Sequence, residues 1–457
     1  MLRYLPLTVS VMIFTAFSTS ARGELFSVQL ATVPASDEQP GGPIYDYDVG
    51  VFEVTNAQFV AFLNDAEFHN EVQNPGFGNE RGDNMLWRAP PFNTGDVGLI
   101  VGDSGDVDAV FDISRSLITY NPFFNVGTRY DVVAGKEDHA AVGMSWIGAA
   151  KFCNWLTIDQ GLGLGERCFV EGPGEVDWFP VTTGDDIGGT QQATNLARDL
   201  DDGERCALVR NHRGFRFLMD QGGIAVGGTN AVPRPFNEWY KAAAYDPAAP
   251  DVPRAVFVGF PFEEHIVPAD HWTHAFGRDP LTNADANFRS SGDPFDNPDP
   301  AVIATAPVGY YDGTDHGGAF ATNPNNNRYG IFDMSGSIWE FLNDQVEITA
   351  STAPDRSIAG GSYRSNNMQV TCANRGDVGP GSTRPVIGFR VMRVTNPPVI
   401  PGDLNCDCKK DINDFAPFVQ ALLDSLAGCD AGQADINGDT QVDGLDIQLF
   451  IEDLLTP

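Results

Sequence analysis

The chain has 457 residues, about three times a ~150-residue domain, so one large folded unit plus a smaller one is expected. Its 62 Asp+Glu against 28 Lys+Arg, a net charge of -34, argue against a nucleic-acid partner, because phosphate contacts need clustered cations. A hard divalent cation, a basic partner or solubility in a salty medium fits that surface, and the 49 Gly and 31 Pro argue against a long helical bundle.

The N-terminus, MLRYLPLTVSVMIFTAFSTSARGE, has Arg3 as a short positive region, an apolar stretch from Leu5 to Phe17 and small residues at Thr19 to Ala21. That is the pattern of a secretory signal peptide over residues 1–21. The apolar stretch is shorter than the ~20 residues of a spanning helix, and no comparable run follows. A secreted or cell-envelope protein without a membrane span is expected. Export makes the seven cysteines candidates for disulfides, and their odd number leaves at least one outside any intrachain pair. The sequence does not assign the pairs.

The large unit spans 24–395. It begins with YDVGVFEVTNAQFVAFLNDA, in which Thr55 and Gln58 form a capping box and Phe59, Phe62 and Leu63 an apolar helix face. HAAVGMSWIGAAKFCNWL repeats the strand-then-helix arrangement with Ser145 as cap, and its Cys153 reads as a small core residue. RPFNEWYKAAAYDP predicts a third short helix centred on Trp239 and closed by Pro247. Downstream, PVGYYDGT, RYGIFDMSGSIWEFLND, IAGGSYRSNN and VIGFRVMR read as short aromatic strands divided by Gly, Asn and Asp turns.

In order, FEVTNAQFVAFLN, VGMSWIGAAKFCNWL, NEWYKAA, YGIFDMSGSIWEF, GGSY and GFRV resemble the motif series of the formylglycine-generating-enzyme (sulfatase-modifying-factor) family over residues 43 to 393. The resemblance implies a C-type-lectin-like variant fold, α+β with little regular secondary structure, in which 75–135 and 158–232 read as insertions. Active members hold Cu(I) with two cysteines after the GGS element. The matching positions here are Ser365 and Val370, leaving Cys372 as the one candidate catalytic residue in that region. One thiol does not make a Cu(I) site, so copper is not expected and a noncatalytic protein is; the alternative is a formylglycine-generating-type oxidase acting on sulfatase cysteines. The family's calcium-associated GNVWEW appears as GSIWEF, so that Ser337 and Glu340 are either calcium ligands or, for Glu340, a partner of a nearby cation.

HIVPADHWTHAF holds His265, His271 and His274, an HxxH pair that would suit zinc on a helix and is otherwise a polar loop. No nucleophile elbow, phosphate-binding loop or HExxH occurs.

The prolines of VTNPPVIPGD mark a linker at 396–402, and the tail, 403–457, contains a duplication 32 residues apart. DLNCDCKKDIND and DINGDTQVDGLD place oxygen side chains at loop positions 1, 3, 5, 9 and 12: Asp403, Asn405, Asp407, Asp411, Asp414, then Asp435, Asn437, Asp439, Asp443, Asp446. Ca²⁺ takes six to eight oxygens from such a wrapping loop, with the position-7 carbonyls supplied by Lys409 and Gln441. Each loop precedes an apolar helix, with Phe415, Phe418, Leu422 and Ile447, Phe450, Leu454 spaced for one face. The tail resembles a dockerin module, a small α-helical EF-hand-like domain. Position 6, usually glycine, is Cys408 in one loop and Thr440 in the other. The resemblance implies docking on a cohesin-like protein, while calcium as a structural staple alone stays open. For the large unit an extracellular glycan or a protein is the expected ligand, with Trp87, Trp178 and Trp272 as candidate contacts.

Overall fold

The computed structural model describes residues 27–37, 39–68, 111–170, 179–181, 199–221, 233–258, 263–297, 299–317, 320–346, 355–398, 400–405, 408, 410–423 and 431–455. The leader at 1–21 and Trp87, Trp178, Asp407 and Lys409 lie outside these residues. In chain order the elements begin with strands β1 (Leu30–Val33) and β2 (Asp46–Gly50) and helix α1 (Asn56–Phe68). Strands β3 (Ile118–Tyr120) and β4 (Tyr130–Val132), helix α2 (Trp146–Asp159), and strands β5 (Phe169–Val170) and β6 (Phe179–Pro180) follow. Helices α3 (Asp202–Asn211) and α4 (Glu238–Ala244) precede strands β7 (Arg254–Val258), β8 (Glu263–Val267) and β9 (Trp339–Gln345). Strands β10 (Arg356–Ala359), β11 (Arg375–Val378), β12 (Ile387–Gly388) and β13 (Met392–Asn396) complete the large unit. Helices α5 (Phe415–Leu422) and α6 (Asp446–Leu455) belong to the tail.

The strands form one antiparallel sheet in the order β1-β2-β13, a second in the order β11-β10-β9-β12 with β12 parallel to β9, and three two-stranded ribbons. The caps of α1 and α2 form as the sequence predicts. The Thr55 N–H donates to Gln58 Oε1 at 3.0 Å, the Gln58 N–H to Thr55 Oγ1 at 3.3 Å, and the Gly148 N–H to Ser145 Oγ at 3.1 Å. Helix α2 is apolar around most of its circumference and is accordingly buried on all sides from Trp146 to Thr157. Phe59 and Phe152 stack at 6.0 Å between α1 and α2, and Phe217 and Phe389 extend this aromatic core. The Gly of GFRV, Gly388, is needed for close approach, since a Cβ there would meet the Ala141 carbonyl at 2.2 Å.

The stretches read as insertions contribute to the core, and one expected strand does not form. The stretch 158–232, read as an insertion, supplies α3 and the buried run Phe215–Met219, and Arg216 exchanges backbone hydrogen bonds with Met392 of β13 at 2.9 and 2.8 Å. Phe111, Ile118 and Tyr130, inside the other stretch so read, also pack in the core. Likewise PVGYYDGT forms isolated bridges rather than a strand, because its Asp312 and Thr314 side chains bond to their own loop.

A buried charge pair ties these layers together. Both Arg216 terminal nitrogens donate to Glu238 of α4, at 2.7 and 2.6 Å, and the Glu238 carboxylate also accepts from Tyr45 Oη at 2.7 Å and the Met219 N–H at 2.9 Å. Both side chains are almost wholly buried. Replacing Glu238 by Gln leaves a buried, under-compensated guanidinium. We expect Glu238→Gln to lower unfolding free energy by about 3–5 kcal/mol, read from the shift of the urea midpoint at unchanged slope.

Candidate functional site

The GGS loop is built on two left-handed glycines, Gly360 (φ 92°) and Gly361 (φ 78°). A Cβ on Gly361 would lie 2.7 Å from the Gln369 carbonyl, so the chain folds back tightly on residues 369 and 370. The Tyr363 N–H donates to the Ser337 carbonyl at 2.8 Å, which anchors the loop to the GSIWEF turn.

Ser365 is buried, and its Oγ accepts from the Ser362 N–H at 3.0 Å and lies 3.3 Å from Ser362 Oγ. Val370 is fully buried and packs with Phe276, Ala286 and Phe288. Cys372 is also buried. Its N–H donates to the Thr273 carbonyl at 2.8 Å, and its carbonyl accepts from Arg375 Nη1 at 2.7 Å. Burial pushes the Cys372 thiol up to about 12, against the opposing pull of Arg375, so it stays protonated near neutrality. Arg375 itself is held by Asp220 through two contacts, at 2.5 and 2.7 Å, and lies over the Trp239 ring.

A hydroxyl turn and an apolar plug do not supply the soft donors that a Cu(I) site needs. The other free thiols described, Cys153 and Cys168, are buried as well, and desolvation raises both, Cys168 to about 12. Among the described residues, the one group of three His, Cys, Asp or Glu side chains whose ligand atoms lie within 4.8 Å of one another is Cys206, Asp403 and Cys408, whose two sulfurs are joined as a disulfide.

Glu340 lies in the core, where Oε1 accepts from Arg390 Nε and Nη2 at 3.0 and 2.8 Å and Oε2 from Trp239 Nε1 at 2.9 Å. Both its oxygens are therefore engaged by protein donors. Ser337 sits in a left-handed turn (φ 60°) with its N–H on the Asn287 carbonyl. Neighbouring Glu53 is pushed well above the usual carboxylate range by burial and by the nearby Asp333 and Glu340 charges. The histidines do not converge. His271 stacks on Tyr240 and contacts Gln39, His274 pairs with Asp279 at 2.6 Å, and His265 lies on β8. Trp272, half-buried, donates Nε1 to Asp246 at 3.0 Å.

The two tail loops have matching geometry. Asp414 Oδ1 accepts from the Leu404 and Asn405 N–H groups at 2.7 and 3.0 Å, and Asp446 Oδ1 from those of Ile436 and Asn437 at 2.8 and 3.1 Å. The N–H at position 6 donates to the position-1 carboxylate in both, Cys408 to Asp403 at 2.9 Å and Thr440 to Asp435 at 2.7 Å. Cys408 (φ 59°) and Thr440 (φ 73°) take the left-handed backbone that glycine usually supplies. In the second loop Asn437 and Asp439 accept from backbone N–H groups two residues on, and Asp443 from Leu445. A wound loop with carboxylate and amide oxygens at positions 1, 3, 5, 9 and 12 has the donor set of a calcium site. In the first loop Asn405, Asp411 and Asp414 are placed in the same register. The helices that follow close over a small core where Phe418 and Phe450 stack at 4.0 Å. Phe415 and Ile447, expected on that buried face, are exposed, whereas Phe418, Leu422, Phe450 and Leu454 pack there as expected and Leu404, Ala421 and Ala434 complete the core.

Sequence reading missed the link between the units. Cys206 and Arg210, one turn apart on α3, meet the first loop: Cys206 through the disulfide to Cys408, Arg210 through Asp403 at 2.9 Å and Gln433 at 2.8 Å. The available signal was the cysteine at position 6.

The sulfatase-modifying factor enzyme 1-like domain matches residues 237–395, and the dockerin type I domain matches residues 401–455. Similar solved structures include CarF, at 15% identity and a TM-score of 0.41, covering 81% of this chain and 99% of that one. Another is variable protein 1 of Treponema denticola, at 14% identity and a TM-score of 0.36, covering 81% and 98%. PvdO from Pseudomonas aeruginosa is similar at 13% identity and a TM-score of 0.32, covering 81% and 92%. No curated protein matches the chain. Dockerin type I domains generally bind calcium and typically bind cohesin partners. Residues 237–395 of the α+β large unit thus match a sulfatase-modifying factor enzyme 1-like domain, and a dockerin type I domain follows at 401–455.

Proposed function

We propose that this is an exported, noncatalytic sulfatase-modifying-factor-like protein, a binding module for a glycan or protein ligand. Its dockerin tail binds calcium and seats the module on a cohesin-like partner. The observation that carries the noncatalytic reading is the pair Ser365 and Val370, a hydrogen-bonded hydroxyl and an apolar plug where active members place two cysteines. Cys372, protonated and buried, does not replace them. Export is supported by the residue pattern at 1–21, and calcium by the matched winding of the two loops.

The tail also presents a surface for a partner. Phe415 and Val419 lie one turn apart on α5 and Leu423 directly follows the helix; they are 48%, 40% and 71% exposed, with Ile412 before them. Ile447 and Ile451 form a shorter ridge on α6. An apolar stripe at helical spacing suits a groove or flat apolar face on another protein.

Folded protein incubated with Cu(I), oxygen and a sulfatase-type cysteine peptide should yield no aldehyde by mass spectrometry. Aldehyde formation that disappears in Cys372→Ser would overturn the noncatalytic reading. Cys153, Cys168 and Cys372 should resist alkylation at pH 8 until the protein is denatured. With a cohesin panel, Val419→Asp should weaken retention at least about 30-fold, the ~2 kcal/mol of an interface anchor, without loss of helicity. Retention indifferent to this variant and to calcium chelation would count against the docking role.

A further inference from the structure

The position-1 carboxylates of the two tail loops have different neighbours. Asp435 is half-buried, accepts from the Asp439 and Thr440 N–H groups, and makes no ion pair among the described residues. Asp403 is fully buried, and its Oδ2 takes both the Cys408 N–H and Nη1 of Arg210, each at 2.9 Å. The Arg210 side chain is itself largely buried and is steered by Gln433 Oε1 at 2.8 Å and the Pro398 carbonyl at 3.4 Å. Four residues earlier on α3, Cys206 is bonded to Cys408 at position 6 of the same loop. Helix α3 of the large unit therefore grips the first loop at two points, one covalent and one ionic.

We propose that α3 supplies the first dockerin loop with its cation from within. Arg210 takes the position-1 carboxylate of that loop, and calcium is bound tightly by the second loop alone. The proposal rests on the reading of the tail as calcium-binding. A Ca²⁺ on Asp403 would sit about 2.3–2.6 Å from its oxygen, and the guanidinium already occupies hydrogen-bonding distance of that carboxylate. Two cations within a few ångström, with little water between, repel strongly, so calcium enters the first loop only if Arg210 leaves. The disulfide opposes that departure, because it fixes α3 against the loop. The consequence is a tail held to the large unit with or without calcium in its first loop.

Calcium titration by calorimetry on the full mature chain tests this. Wild type should bind one Ca²⁺ tightly, with any second site weaker by on the order of 100-fold or more, given the like charge in place. Asp439→Ala should abolish the tight site, assigning it to the second loop. Arg210→Gln, which removes the charge and keeps much of the side chain, should restore a second site of comparable affinity. The double variant Cys206→Ser with Cys408→Gly should strengthen the first site partway. Peptide mapping without reduction should recover Cys206 joined to Cys408. Two equivalent sites in wild type, or a single site unchanged by Arg210→Gln, would overturn the internal cation while leaving calcium binding intact. No calcium binding by wild type or by Arg210→Gln would overturn the calcium reading itself, and the proposal with it.

Discussion

The Arg216–Glu238 pair is the interaction on which the large unit depends. Glu238 starts α4, Arg216 lies in the run that joins β13, and Tyr45 and Tyr47 reach the same residue from beside and within β2. A buried pair of this kind adds little net stability over an apolar replacement, yet removing either half is expensive. Its value lies in specification, since only one arrangement of sheet, helix and connecting run satisfies every donor and acceptor around it. In a protein with short strands and many irregular connections, such fixed polar contacts take over part of the registering that long ladders do elsewhere.

Arg390 and Glu340 act similarly on the other side of the core. Arg390 donates to Glu340, to the Gly50 carbonyl and to the Phe332 carbonyl, so GFRV, the end of β2 and the GSIWEF turn are held by one guanidinium. The family resemblance ties the WE element to calcium, and here the positive charge beside Glu340 comes from the protein. The first tail loop has a similar ion pair, with Arg210 facing Asp403. In both places an acidic side chain of a calcium-associated motif has its charge balanced by arginine.

Much of this was legible in the sequence because it is local. Thr55 and Ser145 announce α1 and α2 through capping side chains three residues from their targets, and the duplicated Asp and Asn spacing announces the two loops. What the sequence concealed is non-local. GFRFLMD is mostly apolar, as a buried extended run is, but Arg216 between Phe215 and Phe217 makes it look exposed until Glu238 is placed opposite. Cys206 and Cys408 are separated by 202 residues, and neither local pattern nor periodicity can pair them. Phe415 and Phe418 illustrate a finer limit. Both sit on an apolar helix, and only the packing of α5 against α6 decides that Phe418 stacks on Phe450 while Phe415 faces outward.

The cysteine at position 6 joins these themes. That position requires φ near +60°, which disfavours every side chain, and Cys408 adopts 59°. The strain of a Cβ in the left-handed region is small beside the restriction that a cross-link across 202 residues places on the unfolded chain. Thr440 accepts the same backbone without a cross-link, so the loop winding alone tolerates a side chain there. The cysteine therefore does something other than allow the turn. It makes the first loop a contact of the large unit, whereas the matching second loop is exposed to solvent. A dockerin joined only through the chain that follows β13 would sample many orientations, whereas one bonded at Cys408 and paired at Asp403 holds its apolar α5 ridge against the large unit.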